Sequence, residues 1–347
     1  MINIFSKDKR DRKMGIYIIA EAGINHNGKI EIAKELVDMA KEAGADAVKF
    51  QIFKAEEGLS QYAEKAEYQK KNDPEQETQF EMTKKLQLPF EAFFELKRYC
   101  EKKEIDFLST PDGTESLRYL VSLQVPAIKI SSTDVTNYRF LNEIAQTGKK
   151  LILSTGMSNL GEVERALEIL LERGNSEIVL MHCTTDYPTK IQDVNLRAML
   201  TLKNAFGVPV GYSDHTLGFE AAIAAVAMGA EYIEKHITLD ENMKGPDHKA
   251  SMPPDKFKEY VKYIRNTELL MGDGRKRPTT SECMIMKQTR RSILANERIK
   301  KGTILEEEMF CYKRPGTGIS PYYANILVGR AVKRDIEKEE MILWQDV

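Results

Sequence analysis

Short apolar runs alternate along most of the chain with longer segments whose apolar residues are spaced three and four positions apart. The run over residues 16–20 predicts a buried strand, and the pattern over residues 30–43 predicts an amphipathic helix that ends at Gly44. This strand–helix unit recurs about eight times between Gly15 and Met271, the number that closes a TIM (β/α)8 barrel. A span of about 250 residues is also typical of such a barrel.

The predicted elements keep this order throughout the barrel. The polar segment over residues 53–87 is long for a barrel loop, and it has local helical patterns at residues 60–71 and 79–85. We expect strands over residues 16–20, 46–52, 105–109, 127–130, 151–154, 177–182, 208–211 and 232–233. We expect the main helices over residues 30–43, 90–102, 115–123, 139–146, 161–171, 195–205, 219–228 and 254–270.

The chain after Met271 has a different pattern. Residues 272–290 are polar with Gly and Pro, which predicts a linker. Residues 291–347 are too few for another barrel, and their short apolar runs separated by turns predict a small β-rich domain. The sequence therefore predicts an α/β chain with a barrel over residues 1–271, a linker and a C-terminal domain.

Two histidines follow the last two predicted strands of the barrel. His215 and His236 each come just after a short apolar run, so both are expected at the carboxyl edge of the sheet. This edge is the active face of an α/β barrel. Two neutral imidazoles that converge there form half of a divalent-metal site, which oxygen ligands or water complete. Two unrelated histidines are the alternative, which their matching positions disfavour.

Polar residues also close the other apolar runs. A lysine inside an apolar strand, as at Lys49 and Lys129, is costly to bury without a partner, so an anionic ligand with phosphate and carboxylate groups is expected. For the hydroxyl residues the alternative is a helix cap. The strand-end set predicted to surround one pocket is Glu21, Lys49, Gln51, Thr110, Lys129, Ser132, Ser154, His182, Thr185, Ser213, His215 and His236.

Three further residues allow a structural and a functional interpretation. His26 lies in a turn rich in Gly and Asn, and either role fits it equally. Asp214 either orients the imidazole of His215 or caps the following helix. His248 follows the last histidine-bearing strand, and the sequence leaves its role open.

Composition narrows the class of protein. The 347 residues are 42% hydrophobic and 30% charged with a formal net charge of -2, without a basic stripe for nucleic acid or a polybasic block for a membrane surface. The four cysteines have no CxxC spacing, so reduced thiols in a cytoplasmic protein are expected. The first fifteen residues are charged and lack the apolar core of a signal peptide. No strand is followed by a Walker loop or GxGxxG motif, which argues against a nucleotide site.

Several motifs occur in order from about Gly15 onwards. They are IIAEAGINHNG, VKFQIFKA, FLSTP, LILSTGM, MHCTTDYPT, GYSDHTLG, IEKHITLD and GPDHKAS. Together they resemble the sialic acid (N-acetylneuraminate) synthase family, and the C-terminal stretch KRPGTGISP resembles that family's antifreeze-like (SAF) domain.

The resemblance implies a transferase that condenses phosphoenolpyruvate with an N-acylated mannosamine to give a nine-carbon 2-keto acid and phosphate. It implies that His215 and His236 hold a divalent metal, manganese in the first place with magnesium or cobalt as alternatives, and that Glu21 is the acid or base. The residues implied in phosphoenolpyruvate binding are Lys49, Thr110, Lys129, Ser132, Ser154, Thr185 and Ser213. Those implied in amino-sugar binding are Gln51, Tyr187, Asp247 and Arg314, of which Arg314 would reach a partner's barrel in a domain-swapped homodimer.

The chain departs from the family pattern at a few positions. Asp112 stands where many members have Phe, Asp134 ends a segment that is often Ser-Gly-Glu, and some members have Asn in place of Thr185. Asp186 corresponds to the acidic residue of the CTTEYP form. N-acetylmannosamine is the expected sugar, and these changes make 2,4-diacetamido-2,4,6-trideoxymannose, the precursor of legionaminate, the alternative. A Schiff-base aldolase using Lys49 or Lys129 and a non-catalytic sugar- or partner-binding protein are the rival functions.

Overall fold

The computed structural model describes residues 15–72 and 77–347. The chain divides into two compact units, the first ending at Gly272 and the second beginning at Asp273. The prediction about a signal peptide falls mainly on residues 1–14, which lie outside the described residues. Among the described helices, none is both long and apolar enough to cross a membrane.

Eight parallel strands form the first unit, as predicted. The hydrogen-bonded order is β3-β2-β1-β8-β7-β6-β5-β4, and β3 lies beside β4, so the sheet is a nearly closed barrel. The strands are β1 (Tyr17–Gly23), β2 (Ala47–Ile52), β3 (Asp106–Pro111), β4 (Ala127–Ile130), β5 (Lys150–Ser154), β6 (Ile178–His182), β7 (Val210–Asp214) and β8 (Tyr232–His236).

Helices surround this barrel and bury their apolar faces against it. The first helix ends because Gly44 adopts a left-handed conformation with φ 87°, from which its N–H reaches the last carbonyls. The helices of this unit are α1 (Ile30–Ala43), α2 (Ala55–Gly58), α3 (Glu67–Asn72), α4 (Gln79–Leu86), α5 (Phe90–Lys103), α6 (Thr114–Ser122), α7 (Tyr138–Ala145), α8 (Leu160–Glu172), α9 (Arg197–Phe206), α10 (Glu220–Ala227) and α11 (Pro254–Met271).

Inward-facing residues form layers across the barrel because side chains alternate along each strand. The deeper layer is apolar and fills the amino-terminal part of the barrel with Ile19, Ala47, Leu108, Ala127, Ile152, Val179, Met181 and Tyr232. The next inward-facing residues lie two positions further along the strands and are mostly polar. They include Glu21, Lys49, Thr110, Lys129, Ser154 and Glu234. The apolar layer therefore closes one end of the barrel and supports a polar layer that opens at the other.

The second unit has its own small core. Its antiparallel sheet pairs β9 (Ser292–Ala295) with β10 (Phe310–Lys313), and isolated bridges such as Ile299 with Ile336 extend it. Ile293, Leu305, Leu327 and Ile342 are among the buried residues that hold this unit together. Its helices are α12 (Thr280–Thr289) and α13 (Ala324–Leu327).

Two details of the predicted secondary structure differ. The expected helical segment at residues 60–71 is helical only over Glu67–Asn72. The expected linker at residues 272–290 contains α12, which begins with a capping box in which Thr279 and Glu282 satisfy each other's backbone N–H groups. Gly and Pro before this helix indicated a linker, but Thr-x-x-Glu is itself a helix-start signal.

Candidate active site

A cavity of about 770 Å³ lies at the carboxyl end of the barrel strands. All the barrel residues to which the sequence assigned a site role line it, while Arg314 lies in the second unit. These lining residues are Glu21, Lys49, Gln51, Thr110, Lys129, Ser132, Ser154, Thr185, Tyr187, Ser213, His215, His236 and Asp247. The strand-end residues predicted to surround one pocket therefore do so, except His182.

Two lysines and two glutamates form the buried floor of the cavity. Lys49 Nζ lies 2.7 Å from Glu21 Oε2 and 3.7 Å from Glu234 Oε2. Lys129 Nζ lies 3.8 Å from Glu234 Oε1 and donates to Ser154 Oγ at 2.5 Å. Burial alone would lower the pKa of Lys49, but the two glutamates outweigh it and raise the pKa, while burial lowers the pKa of Lys129. The floor is a compact array of alternating charge.

The two glutamates have different electrostatic surroundings. Burial raises the pKa of Glu21, and the charge of Glu234 adds to this shift in opposition to Lys49. For Glu234 burial also favours a higher pKa, but Lys129, Lys49, His236 and a hydrogen bond from Ser213 hold the pKa at about 2. The pKa values of the two carboxyl groups are thus pushed apart. Glu21 is suited to carry a proton, while Glu234 remains charged.

His215 and His236 lie side by side above this floor. Their ring centroids are 5.5 Å apart, and the ring of Tyr187 lies 4.2 Å from His215 and 5.6 Å from His236. His215 Nδ1 is 2.7 Å from the carbonyl oxygen of Thr184, so Nδ1 carries the proton and Nε2 keeps its lone pair. The expected convergence of the two imidazoles is present.

The histidine pair fits a divalent metal ion. Burial lowers the pKa of His215 to about 4 and that of His236 well below its usual range, so both rings are neutral and able to act as ligands near pH 7. Within the described chain, His236 Nδ1 is buried without a hydrogen-bond partner. No group of three His, Cys, Asp or Glu side chains suited to a metal occurs among these residues, so oxygen ligands from water or substrate would complete the coordination.

Polar groups from three strand ends converge on Gly156. Ser132 Oγ accepts a hydrogen bond from the Gly156 N–H at 3.0 Å and lies 3.3 Å from Cys183 Sγ. A Cβ atom at Gly156 would lie 2.2 Å from Thr185 Oγ1 and 2.9 Å from Ser132 Oγ. A larger residue at position 156 would therefore require these side chains to turn away, and a backbone N–H lies among their hydroxyls.

Another side of the cavity is acidic. Burial raises the pKa of Asp112 to about 6, and the charges of Asp134 and Glu57 add to the shift. The segment that carries Glu57 packs closely on the end of β3, because a Cβ atom at Gly58 would lie 2.3 Å from Asp112 Oδ2. Glu57 also accepts hydrogen bonds from the first backbone N–H groups of α6. Carboxylates thus line the cavity away from the lysine floor.

Comparisons with known proteins agree with this architecture. Residues 36–276 match the model of the NeuB family, and residues 290–347 match that of the SAF domain. The chain is 46% identical over 327 residues to the N,N'-diacetyllegionaminic acid synthase of Campylobacter jejuni. The aligned region covers 94% of this chain and 98% of that protein. The chain belongs to the NeuB family.

Two other relatives of this NeuB-family chain support the assignment. The N,N'-diacetyllegionaminic acid synthase of Legionella pneumophila is 45% identical, with 97% of this chain and 96% of that protein covered. The crystal structure of the N-acetylneuraminic acid synthetase from Leptospira borgpetersenii, in complex with citrate, is 34% identical with a TM-score of 0.68. It covers 78% of this chain and 90% of that one.

Four residues considered from the sequence lie elsewhere in the NeuB-family barrel. His182 is outside the described cavity lining, because its Nε2 is 2.8 Å from the carbonyl oxygen of Val194. His26 and His248 are fully buried and also outside the described lining. Of the two roles left open for Asp214, a direct contact with the imidazole of His215 is not observed, because its carboxylate accepts from Thr216, Lys235 and Tyr260.

Sequence reasoning missed Glu234 at the centre of the floor. Its signal is the one that identified Lys49 and Lys129, since Glu234 is a charged residue inside the otherwise apolar start of β8. It also lies two residues before His236, and therefore on the same face of the strand. Attention to the histidine at the strand end left this inward-facing carboxylate unnoticed.

Proposed function

We propose that the protein is a nonulosonic acid synthase that condenses phosphoenolpyruvate with an open-chain N-acylated mannosamine-type sugar and releases phosphate. One observation supports this most strongly, the cavity in which the lysine–glutamate floor adjoins the paired histidines. The floor suits an anion that carries both phosphate and carboxylate, while the histidines suit a metal that activates a carbonyl group. Membership of the NeuB family is consistent with this chemistry.

The residues of the floor bind and orient the anionic substrate. Lys49 and Lys129 offset its charge in a buried setting, where each hydrogen bond to an ionised group is strong. When Glu21 carries a proton, the two lysines exceed the single charge of Glu234, and the floor becomes net positive. Holding both substrates in one cavity also supplies much of the rate enhancement.

The histidine pair would hold the metal ion, manganese in the first place. When bound, a divalent cation of this kind supplies Lewis-acid polarisation of the sugar's carbonyl oxygen. Thr184 fixes the ring of His215 through Nδ1, and Tyr187 packs against both imidazoles, so the rings are held in one orientation.

Glu21 is the acid–base group of the proposed reaction. The methylene carbon of phosphoenolpyruvate forms a bond to the sugar's carbonyl carbon while the C=O π electrons pass to the carbonyl oxygen, which takes the proton of the Glu21 carboxyl group. An oxocarbenium centre is left at C2. Water adds to C2 and passes a proton to the Glu21 carboxylate, a role that suits a carboxyl group whose pKa is raised by burial. The hemiketal phosphate then breaks the bond between C2 and its phosphate ester oxygen. This step releases phosphate and leaves the 2-keto acid.

The choice of sugar rests on relatives and on charge. The sequence favoured N-acetylmannosamine, but the two relatives named as legionaminic acid synthases are 46% and 45% identical, against 34% for the N-acetylneuraminic acid synthetase structure. We therefore propose 2,4-diacetamido-2,4,6-trideoxymannose as the preferred sugar. A phosphorylated sugar is disfavoured, because Glu57, Asp112, Asp134 and Glu143 line the cavity and Arg139 already pairs with Glu143 at 3.8 Å.

A comparison of three sugars tests the proposed function. Phosphate release is measured with phosphoenolpyruvate, manganese and either the diacetamido sugar, N-acetylmannosamine or N-acetylmannosamine 6-phosphate. We expect kcat/KM to fall in that order, by about tenfold at the first step, because a net hydrogen bond contributes about 1 kcal/mol. The overall fall should be at least about 100-fold, since like charges juxtaposed cost several kcal/mol.

Controls separate the outcomes of this assay. Asp112→Asn is expected to reduce the discrimination against the phosphorylated sugar, since it removes one negative charge from the acidic side of the cavity. No phosphate release with any of the sugars would overturn the proposed function. Full activity in EDTA, together with inactivation by borohydride in the presence of sugar, would point instead to the Schiff-base aldolase.

We further propose that Arg314 contacts the N-acyl group of a sugar bound in the partner subunit's barrel. Arg314→Ala and His236→Ala homodimers should then each be almost inactive. Mixed dimers, made by unfolding and refolding the two variants together, should regain up to half of the wild-type activity per dimer, because one barrel receives both an intact metal site and an intact arginine. Size-exclusion chromatography with light scattering measures the dimer itself. If verified mixed dimers regained no activity, Arg314 would not act in the partner subunit's barrel.

A further inference from the structure

A buried ion pair lies directly behind the two histidines. Asp214 and Lys235 are in-register partners at the ends of β7 and β8, and their exposed fractions are 0% and 1%. Lys235 Nζ lies 3.1 Å from Asp214 Oδ2 and also donates to the carbonyl oxygen of Thr216. Tyr260 Oη from α11 donates to the same Oδ2 at 3.0 Å. Every oxygen of this carboxylate is bound, because Thr216 N and Oγ1 donate to Oδ1 at 2.9 and 2.8 Å.

Side-chain alternation connects this outward pair to the site. One residue earlier on each strand, Ser213 Oγ donates to Glu234 Oε1 at 3.0 Å inside the barrel. One residue later, His215 and His236 face the cavity together. Asp214 and Lys235 therefore point outward between two inward-facing pairs, Ser213 with Glu234 and His215 with His236. Each of them immediately precedes one of the two histidines.

The backbone ladder ends at this point. Asp214 with Lys235 is the last register pair of β7 and β8, so His215 lies one residue beyond the paired strands. A buried ion pair is a poor device for stability alone, since apolar residues of similar size stabilise as well or better. Its directional hydrogen bonds do fix the relative position of two strand ends, which apolar packing fixes less sharply.

We propose that Asp214 and Lys235 are positioning residues that set the separation of His215 and His236 and thereby the affinity of this site for a divalent cation. The inference rests on the metal site of the proposed function. Neither side chain would touch the metal or the substrates, because both face away from the cavity towards α11. Their effect would pass through the backbone of the residue that follows each of them.

Manganese binding to the full-length protein tests this inference without turnover. Free Mn²⁺ is measured by electron paramagnetic resonance during titration of the wild type, of Asp214→Asn, of Lys235→Met and of the double variant Asp214→Leu/Lys235→Met. The double variant leaves no buried charge without a partner, so it is expected to fold even where the single variants do not. We expect Mn²⁺ binding to weaken 10- to 100-fold, the range seen when groups that orient metal ligands are removed.

A second ion pair provides the matched control. Asp46 accepts from Arg265 Nη2 at 2.6 Å, at the opposite end of the barrel strands. Asp46→Asn should lower the melting temperature but leave Mn²⁺ affinity within about twofold. If the folded double variant binds Mn²⁺ as the wild type does, the positioning role is wrong. If the wild type binds no Mn²⁺, the proposed metal site itself fails instead.

Discussion

Replacing His236 with alanine is expected to reduce turnover at least about 1000-fold while the barrel stays folded. A metal ion that polarises a carbonyl group contributes several kcal/mol of transition-state stabilisation, and a thousandfold loss corresponds to about 4 kcal/mol. Only His215 would remain of the half-site, because the described residues bring no third metal-binding side chain to it. Phosphate release at saturating manganese and substrates measures the loss, and circular dichroism checks the fold.

His182→Gln is the matched control for this experiment. His182 also lies at the end of a barrel strand and is buried, but it is bound to the Val194 carbonyl outside the described cavity lining. We expect this variant to keep most of its kcat even if its stability falls. Full activity of His236→Ala would show that the histidine pair does not hold a catalytic metal.

Replacing Lys129 with methionine is expected to lower kcat/KM for phosphoenolpyruvate by about 1000-fold, or about 4 kcal/mol. The change removes one of two floor cations, so that Lys49 alone faces Glu234 and the floor is no longer net positive towards an anion. Breaking a buried pair also destabilises a protein by about 3–5 kcal/mol, because it leaves an uncompensated charge. Kinetics with varied phosphoenolpyruvate should be accompanied by calorimetric binding and thermal unfolding.

Lys150→Met separates the loss of binding from the loss of stability. Lys150 begins β5 at the closed end of the barrel, where its Nζ donates to Tyr232 Oη at 2.7 Å. This variant should lose stability without losing affinity for phosphoenolpyruvate. Wild-type affinity in a folded Lys129→Met protein would remove Lys129 from the proposed substrate site.

Much of the site could be predicted from the sequence because barrel strands impose strict geometry. Parallel strands end at one edge, so Lys49, Lys129, His215 and His236 had to meet once eight strands were recognised. Burial made the lysines informative, since an apolar strand tolerates a charge only beside a partner. The position of each side chain followed from alternation along its strand.

Other features depend on tertiary contacts that local pattern does not specify. Which carboxylate pairs with which lysine is decided across strands. Glu234 on β8 serves Lys49 on β2 and Lys129 on β4 only because all three side chains point into the interior of one barrel. Asp214 resembled a group that orients a histidine, but alternation turns it outward to Lys235. The helix α2, near the start of the segment over residues 53–87, likewise packs against the end of β3, where Gly58 lies close to Asp112.

Gly156 has a consequence for how such a protein can evolve. A single nucleotide change from a glycine codon to an alanine codon would bring a methyl carbon to 2.2 Å from Thr185 Oγ1, so the side chains of Thr185 and Ser132 would have to leave their present positions. A change at position 156 would therefore be coupled to the hydroxyl groups that surround it. A change of sugar specificity is easier on the acidic side of the cavity, because Asp112 can be replaced there without disturbing the lysine floor.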